Sequence, residues 1–261
     1  MHRIFVTGAA CAAIVIGCLA QSGVRAAEMS AQTAAVSLEE LYKSSIYDAA
    51  VKRRSFRRPL TPIDASLPKV TVVTLTTKSD DPVEPTRFNV TKGVLKLDRK
   101  DGVSGVLLQP TWVSLPAESR PACKGARNPV LRLQQILGMP PVGGQWELVQ
   151  FKVAPKHIFR PCGSGPDITT TECAFKLPTK FSSPEERRAV EKTQLFVFEQ
   201  MWSSFIEGFP EPGYPFTGMG WTYDWSETSE DHFGISEYVV DEKAPVTDIR
   251  VLTPEQFCRS R

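Results

Sequence analysis

The chain has 261 residues, 41% of them hydrophobic and 23% charged, a composition that excludes a disordered chain or a bundle of membrane spans and fits a folded core. Its 31 basic and 29 acidic residues leave a formal charge of +2, so global charge gives no reason to propose a nucleic-acid partner. Met1-His2-Arg3, then the apolar run Ile4 to Ala20, then small residues up to Ala26 follow the order of a secretory signal. The run is about 17 residues, at the lower limit for crossing a bilayer, so cleavage is expected and no transmembrane segment in the mature chain. Val24-Arg25-Ala26 suits a signal peptidase, while Val15-Ile16-Gly17-Cys18 is the alternative, a lipobox that would make a lipoprotein through Cys18. Residues 1–26 are read as the export signal, 27–68 as an N-terminal helix with a basic, proline-broken linker, and 69–261 as a single domain, periplasmic or extracellular.

Ser37-Leu38-Glu39-Glu40 is a capping box, and Leu38, Leu41, Tyr42, Ile46, Ala49 and Ala50 recur at helical spacing, predicting a helix to about Arg54. The basic cluster Lys52 to Arg58 that follows reads as a solvated helix end. Val70 to Thr77 is β-branched and alternating, a strand with one polar face. Further strands are expected at 93–97, 105–109, 111–115 and 146–153, with a short helix between Asn128, its cap, and Gly138, its stop. Ser183-Pro184-Glu185-Glu186 opens a long helix that Gly208 should close. Leu195, Phe198, Met201, Trp202 and Phe205 share one face of it, so Trp202 is expected in the core and the helix is expected to cover a sheet. Strands at 220–225, 235–240 and 247–252 complete an α+β domain: an antiparallel sheet covered by one long amphipathic helix.

Removing the signal takes Cys11 and Cys18, and the four cysteines left in an exported chain read as two disulfides. Cys162 and Cys173 flank Gly163-Ser164-Gly165-Pro166, which can turn the chain back, and Cys123 with Cys258 follows by elimination. In the chain-entropy model the short and long loops contribute about 3 and about 5 kcal/mol. No cysteine pair has the spacing of a zinc knuckle, so neither a metal nor a cofactor is expected.

His157 and His232 are the histidines of the mature chain, and no Gly-x-Ser-x-Gly, His-Glu-x-x-His, Walker or Gly-x-Gly-x-x-Gly pattern accompanies them. No catalytic residue is therefore assigned. The stretch from Tyr214 to Glu242 stands apart, with many aromatic and acidic residues and no Lys or Arg. Rings beside carboxylates suit a sugar or a cation, which makes Trp221, Tyr223, Asp224, Trp225, His232 and Glu237 the candidate ligand-binding residues. Trp221, Tyr223 and Trp225 alternate, so on a strand they share one side and Asp224 takes the other.

Arg132 to Pro141, then Phe159-Arg160-Pro161-Cys162, then Gly213-Tyr214-Pro215-Phe216-Thr217 leading to Thr222-Tyr223-Asp224-Trp225 resembles a pattern in uncharacterised exported bacterial proteins. The resemblance implies a bacterial envelope setting and carries over no activity. The expected function is an exported envelope protein with a non-catalytic binding or accessory role through the aromatic and acidic surface, toward a small ligand or an envelope partner. The alternative is a polysaccharide hydrolase with two of Asp224, Glu227 and Glu237 as acid and base.

Overall fold

The computed structural model describes residues 36–52, 58–77, 95–176, 178–205 and 213–259. The segment expected to be an export signal and most of the basic cluster lie outside them. Helix α1 (Leu38–Tyr47) continues as a π-helical turn to Lys52, and β1 (Val70–Thr77), β2 (Leu97–Arg99), β3 (Ser104–Leu107) and β4 (Thr111–Val113) follow. Two short helices, α2 (Pro116–Cys123) and α3 (Pro129–Ile136), precede β5 (Trp146–Val153) and β6 (Ile158–Phe159). The long helix α4 (Pro184–Phe205) leads to β7 (Trp221–Tyr223), β8 (Phe233–Ser236), β9 (Tyr238–Val240), β10 (Pro245–Leu252) and a closing helix α5 (Pro254–Arg259).

These strands form several antiparallel sheets rather than the one expected: five strands in the order β1-β5-β10-β3-β2, three in the order β4-β9-β6, and the pair β7-β8. The α+β class stands, with both disulfides formed between the expected partners, Cys162–Cys173 and Cys123–Cys258. Period-two side chains on β1 and β5 explain the layering. Val72, Val149 and Phe151 pack with Ile158, Tyr238 and Val240 of the three-stranded sheet, while Val73, Leu75 and Leu148 pack with Leu133 of α3 and Phe257 of α5. Both faces of β1 are thus covered where one polar face was expected, and Thr74, Thr76 and Thr77 are buried as well.

Local chemistry sets the helix ends. Asn128 Oδ1 accepts from the Leu131 amide at 3.0 Å, the expected cap of α3. Ser183 Oγ accepts from the Glu186 amide at 3.1 Å at the start of α4. Leu38 to Arg261 form one compact unit. Tyr42, on α1, is buried against Trp225 with ring centroids 5.7 Å apart, and its hydroxyl donates to Gly213 O at 2.9 Å. Among the described residues no helix is long and apolar enough to cross a membrane.

Helix α4 turns a different face inward from the one expected. Leu195, Phe198 and Trp202 are 58%, 60% and 43% exposed, whereas Val190, Thr193, Val197 and Ser204 are buried. The reason is the closeness of the backbone it meets. A Cβ at Gly165 would lie 3.0 Å from Val190 Cγ2, and one at Gly218, where φ is +65°, would lie 3.2 Å from Val197 Cγ1. Gln194 Nε2 donates to Gly163 O at 2.9 Å in the same contact. Val190, Val197 and Met201 take the places against these glycines and Phe196 packs on Phe159, so Leu195, Phe198 and Trp202 face out. Trp202→Ala is accordingly expected to change the unfolding free energy by less than about 1 kcal/mol in urea denaturation. A loss of about 3 kcal/mol or more would restore the buried placement.

Beneath this contact lies a buried polar cluster. Arg160 is fully buried, with its guanidinium 4.8 Å from the Tyr238 ring and Nη2 donating to Thr61 O (2.9 Å), Ile168 O (3.3 Å) and Thr170 O (3.2 Å). Burial pushes the Tyr238 hydroxyl from its ordinary 10.0 up to about 12, with Arg160 pulling it the other way. A pKa raised in the folded state stabilises it below pH about 10, and that stabilisation is lost as pH climbs toward 12. Urea unfolding at pH 9 and pH 12 should show a loss of about 2–3 kcal/mol that shrinks in Tyr238→Phe.

Candidate functional site

The six sequence-predicted ligand residues fall in and around the core. Trp221, Tyr223 and Trp225 are 1%, 2% and 2% exposed, so none of the rings lies open to a ligand. Strand β7 is only three residues long, and both of its sides are occupied. The rings join Tyr42, Ile46 and Leu60 on one side. Trp225 Nε1 also donates to Met139 O at 2.9 Å, and on the other side Thr222 Oγ1 donates to Ile136 O at 2.6 Å. Tyr223 donates to Asp48 Oδ2 at 2.6 Å, and the His232 ring stacks on it at 5.1 Å with Nδ1 2.9 Å from Asp224 O.

Asp224 does take the opposite side of β7, and a cation meets it there. Arg132 of α3 grips it bidentately, Nη1 to Oδ1 at 2.8 Å and Nη2 to Oδ2 at 2.7 Å, while the Ser226 amide adds a third bond at 3.1 Å. Both of its oxygens thus accept from structural donors, and the pair ties α3 to the end of β7. Glu237 is buried beside a space of about 40 Å³ between β1 and β4, room for a few waters and not for a sugar ring. Glu227 lies exposed on the loop after β7. These carboxylates are held for different purposes in different places, and no group of metal-ligating side chains converges among the described residues. The segments quoted for the resemblance interlock here: Arg132 to Met139 with Thr222 to Trp225, and Cys162 with Met219 through a bridge of the backbone.

A cleft of about 1380 Å³ opens elsewhere, under the first half of α4. Its floor is Ile158 and Phe159 of β6, with Phe196 edge-on to Phe159 at 5.2 Å. One wall is α4, through Ala189, Val190 and Thr193; the other is the loop that the Cys162–Cys173 disulfide closes. Three further devices fix that loop. Arg160 binds its carbonyls from beneath, Ser164 Oγ accepts from the Ala174 amide at 3.1 Å, and Asp167 Oδ1 accepts from the amide and hydroxyl of Thr169, both at 2.8 Å. The rim carries Lys156, His157, Lys192, Asp241, Glu242 and Lys243. Lys192 Nζ lies 3.7 Å from Asp241 and Lys243 Nζ 3.1 Å from Glu242, exposed pairs of the kind that contribute little to stability.

Sequence reading missed this cleft because its parts come from four distant segments, each ordinary by itself. One local signal existed: Gly163, Gly165 and Gly218 mark where the loop and the helix approach closely. No protein-family model, no curated protein and no solved structure matches the chain.

Proposed function

We propose that this is an exported, non-catalytic binding protein that holds a small ligand in the cleft beneath α4. Two disulfides and the resemblance to exported bacterial proteins support the envelope setting. The observation that carries the binding role is the fastening of the cleft wall. A disulfide, a buried arginine and an Asx turn all hold one loop in shape, and such pre-ordering lowers the entropy cost of binding. The aromatic and acidic segment serves the site from below in this reading: Gly163 N donates to Gly218 O at 3.1 Å, so the chain leading into β7 anchors the loop.

Ala189→Trp fills the cleft from an exposed helix position and leaves the Thr193 Oγ1 bond to the Ala189 carbonyl intact. Calorimetric titration with dodecyl maltoside, dodecanoate, tri-N-acetylchitotriose and trialanine should find at least one ligand for the native protein. The variant should bind it at least about tenfold more weakly, about 1.4 kcal/mol. Binding of none, or equal binding by the variant, contradicts the reading.

A further inference from the structure

We propose that the cleft takes a short extended peptide carrying a basic side chain, laid along the open edge of β6. The inference rests on the cleft being the binding site and adds the chemistry of what it holds. Strand β6 is an outer strand of the three-stranded sheet and forms the floor of the cleft. Ile158 pairs with Val240 and Phe159 with Val239, while Asp241 N donates to His157 O at 2.9 Å. Bonded and non-bonded pairs alternate along antiparallel strands, so the next residue, Ile158, turns its backbone groups away from β9. Pro155 O takes its amide. Among the described residues no donor meets its carbonyl, although the residue is buried. On the same edge Arg160 N donates to Pro166 O at 2.9 Å, so the disulfide loop closes the edge at Arg160 and stops short of Ile158. A buried carbonyl without a donor is costly, and the N–H of an extended chain is the group that an open strand edge accepts.

The side chains around this edge set what the peptide should carry. Five carboxylates face three lysines in the lining. Lys192 and Lys243 are already engaged, with Asp241 and Glu242. That leaves Asp167, Glu172 and Glu186 against Lys156 as the one lysine left, an excess of negative charge that a cleft concentrates. Hydrogen bonding from Ser182 holds the Glu186 carboxyl below its usual range, so it stays charged at neutral pH. Ile158, Val190 and Phe196 offer an apolar bed to the four-carbon stem of a lysine side chain, and the acids receive its ammonium. A plain aliphatic chain would use the bed and leave both the carbonyl and the charge unmet.

The test titrates the protein by calorimetry with pentapeptides blocked at both ends, four alanines around a central lysine, alanine or glutamate. The lysine peptide should bind at least about tenfold more tightly than the glutamate one, with the alanine peptide between them. Its analogue N-methylated at every backbone amide keeps the charge and should lose at least about tenfold. Asp167→Asn with Glu172→Gln should weaken the lysine peptide about tenfold and leave the alanine peptide unchanged, since an asparagine oxygen can still accept from Thr169. Glu172→Gln alone, at an exposed position, should lose about threefold and melt with the native protein, which separates lost charge from lost fold. If dodecyl maltoside binds and Ala189→Trp blocks it while no peptide binds, the cleft reading stands and the peptide is overturned. Equal binding of the glutamate peptide, full affinity of the methylated analogue, or variants that bind the lysine peptide as the native protein does also overturn the proposal.

Discussion

Replacing Cys123 and Cys258 together by alanine is expected to lower the unfolding free energy by about 5 kcal/mol, the largest effect of any change considered. The bond joins residues 135 apart in sequence, so it removes more freedom from the unfolded chain than the 11-residue Cys162–Cys173 closure, for which about 3 kcal/mol is expected. It also staples α2 to α5, two one-turn-and-more helices too short to persist alone. The guanidinium of Arg120 over the Phe257 ring, at 4.9 Å, is a second and weaker tie between them. Urea midpoints of the two double variants, measured against the native protein, check both the size and the order. A smaller loss from the long loop than from the short one would contradict the account.

Arg132→Ala is expected to destabilise by about 3–5 kcal/mol, because it strands the Asp224 carboxylate in the core with no counter-charge. Arg132 itself is a quarter exposed and can reach water when its partner is lost, so Asp224→Leu should cost less than Arg132→Ala. Combining Arg132→Leu with Asp224→Leu should recover much of the loss, since a buried pair exchanged for apolar side chains is often near neutral. Equal effects of the two single changes, or a loss below about 1 kcal/mol for Arg132→Ala, would mean that the pair is not the lock between α3 and β7.

The elements that could be read from the sequence were those whose signals are local. Val70 to Thr77 and Trp146 to Val153 alternate, and they pair over their whole length. Asn128 and Ser183 cap the helices they precede. Helix α5 was legible but overlooked: Thr253-Pro254-Glu255-Gln256 is a capping box, with Gln256 N donating to Thr253 Oγ1 at 3.2 Å and Thr253 N to Gln256 Oε1 at 2.9 Å. Helix α2 was not, because Pro121 sits inside it and argues locally against a helix. The inward face of α4 depends on glycines some 20 to 30 residues away in sequence, and a helical wheel shows only that two apolar stripes compete. The same limit governs the site. Aromatic alternation at β7 gives a correct side for Asp224, but whether that side meets water or Arg132 is a tertiary fact. The cleft has no motif, since β6, α4, the disulfide loop and the turn at Lys243 each contribute only part of its lining.

The most direct measurement is a titration of the 15N-labelled protein with whichever of dodecyl maltoside, dodecanoate, tri-N-acetylchitotriose and trialanine binds, with the amide shift changes mapped onto the chain. The account predicts that they gather at Ile158, Phe159, Val190, Thr193 and Lys243, around the cleft, while Trp221, Tyr223, Asp224 and Trp225 stay within error. Changes centred on Trp221 to Glu237, with the cleft amides unmoved, would contradict it and return the binding role to the aromatic and acidic segment.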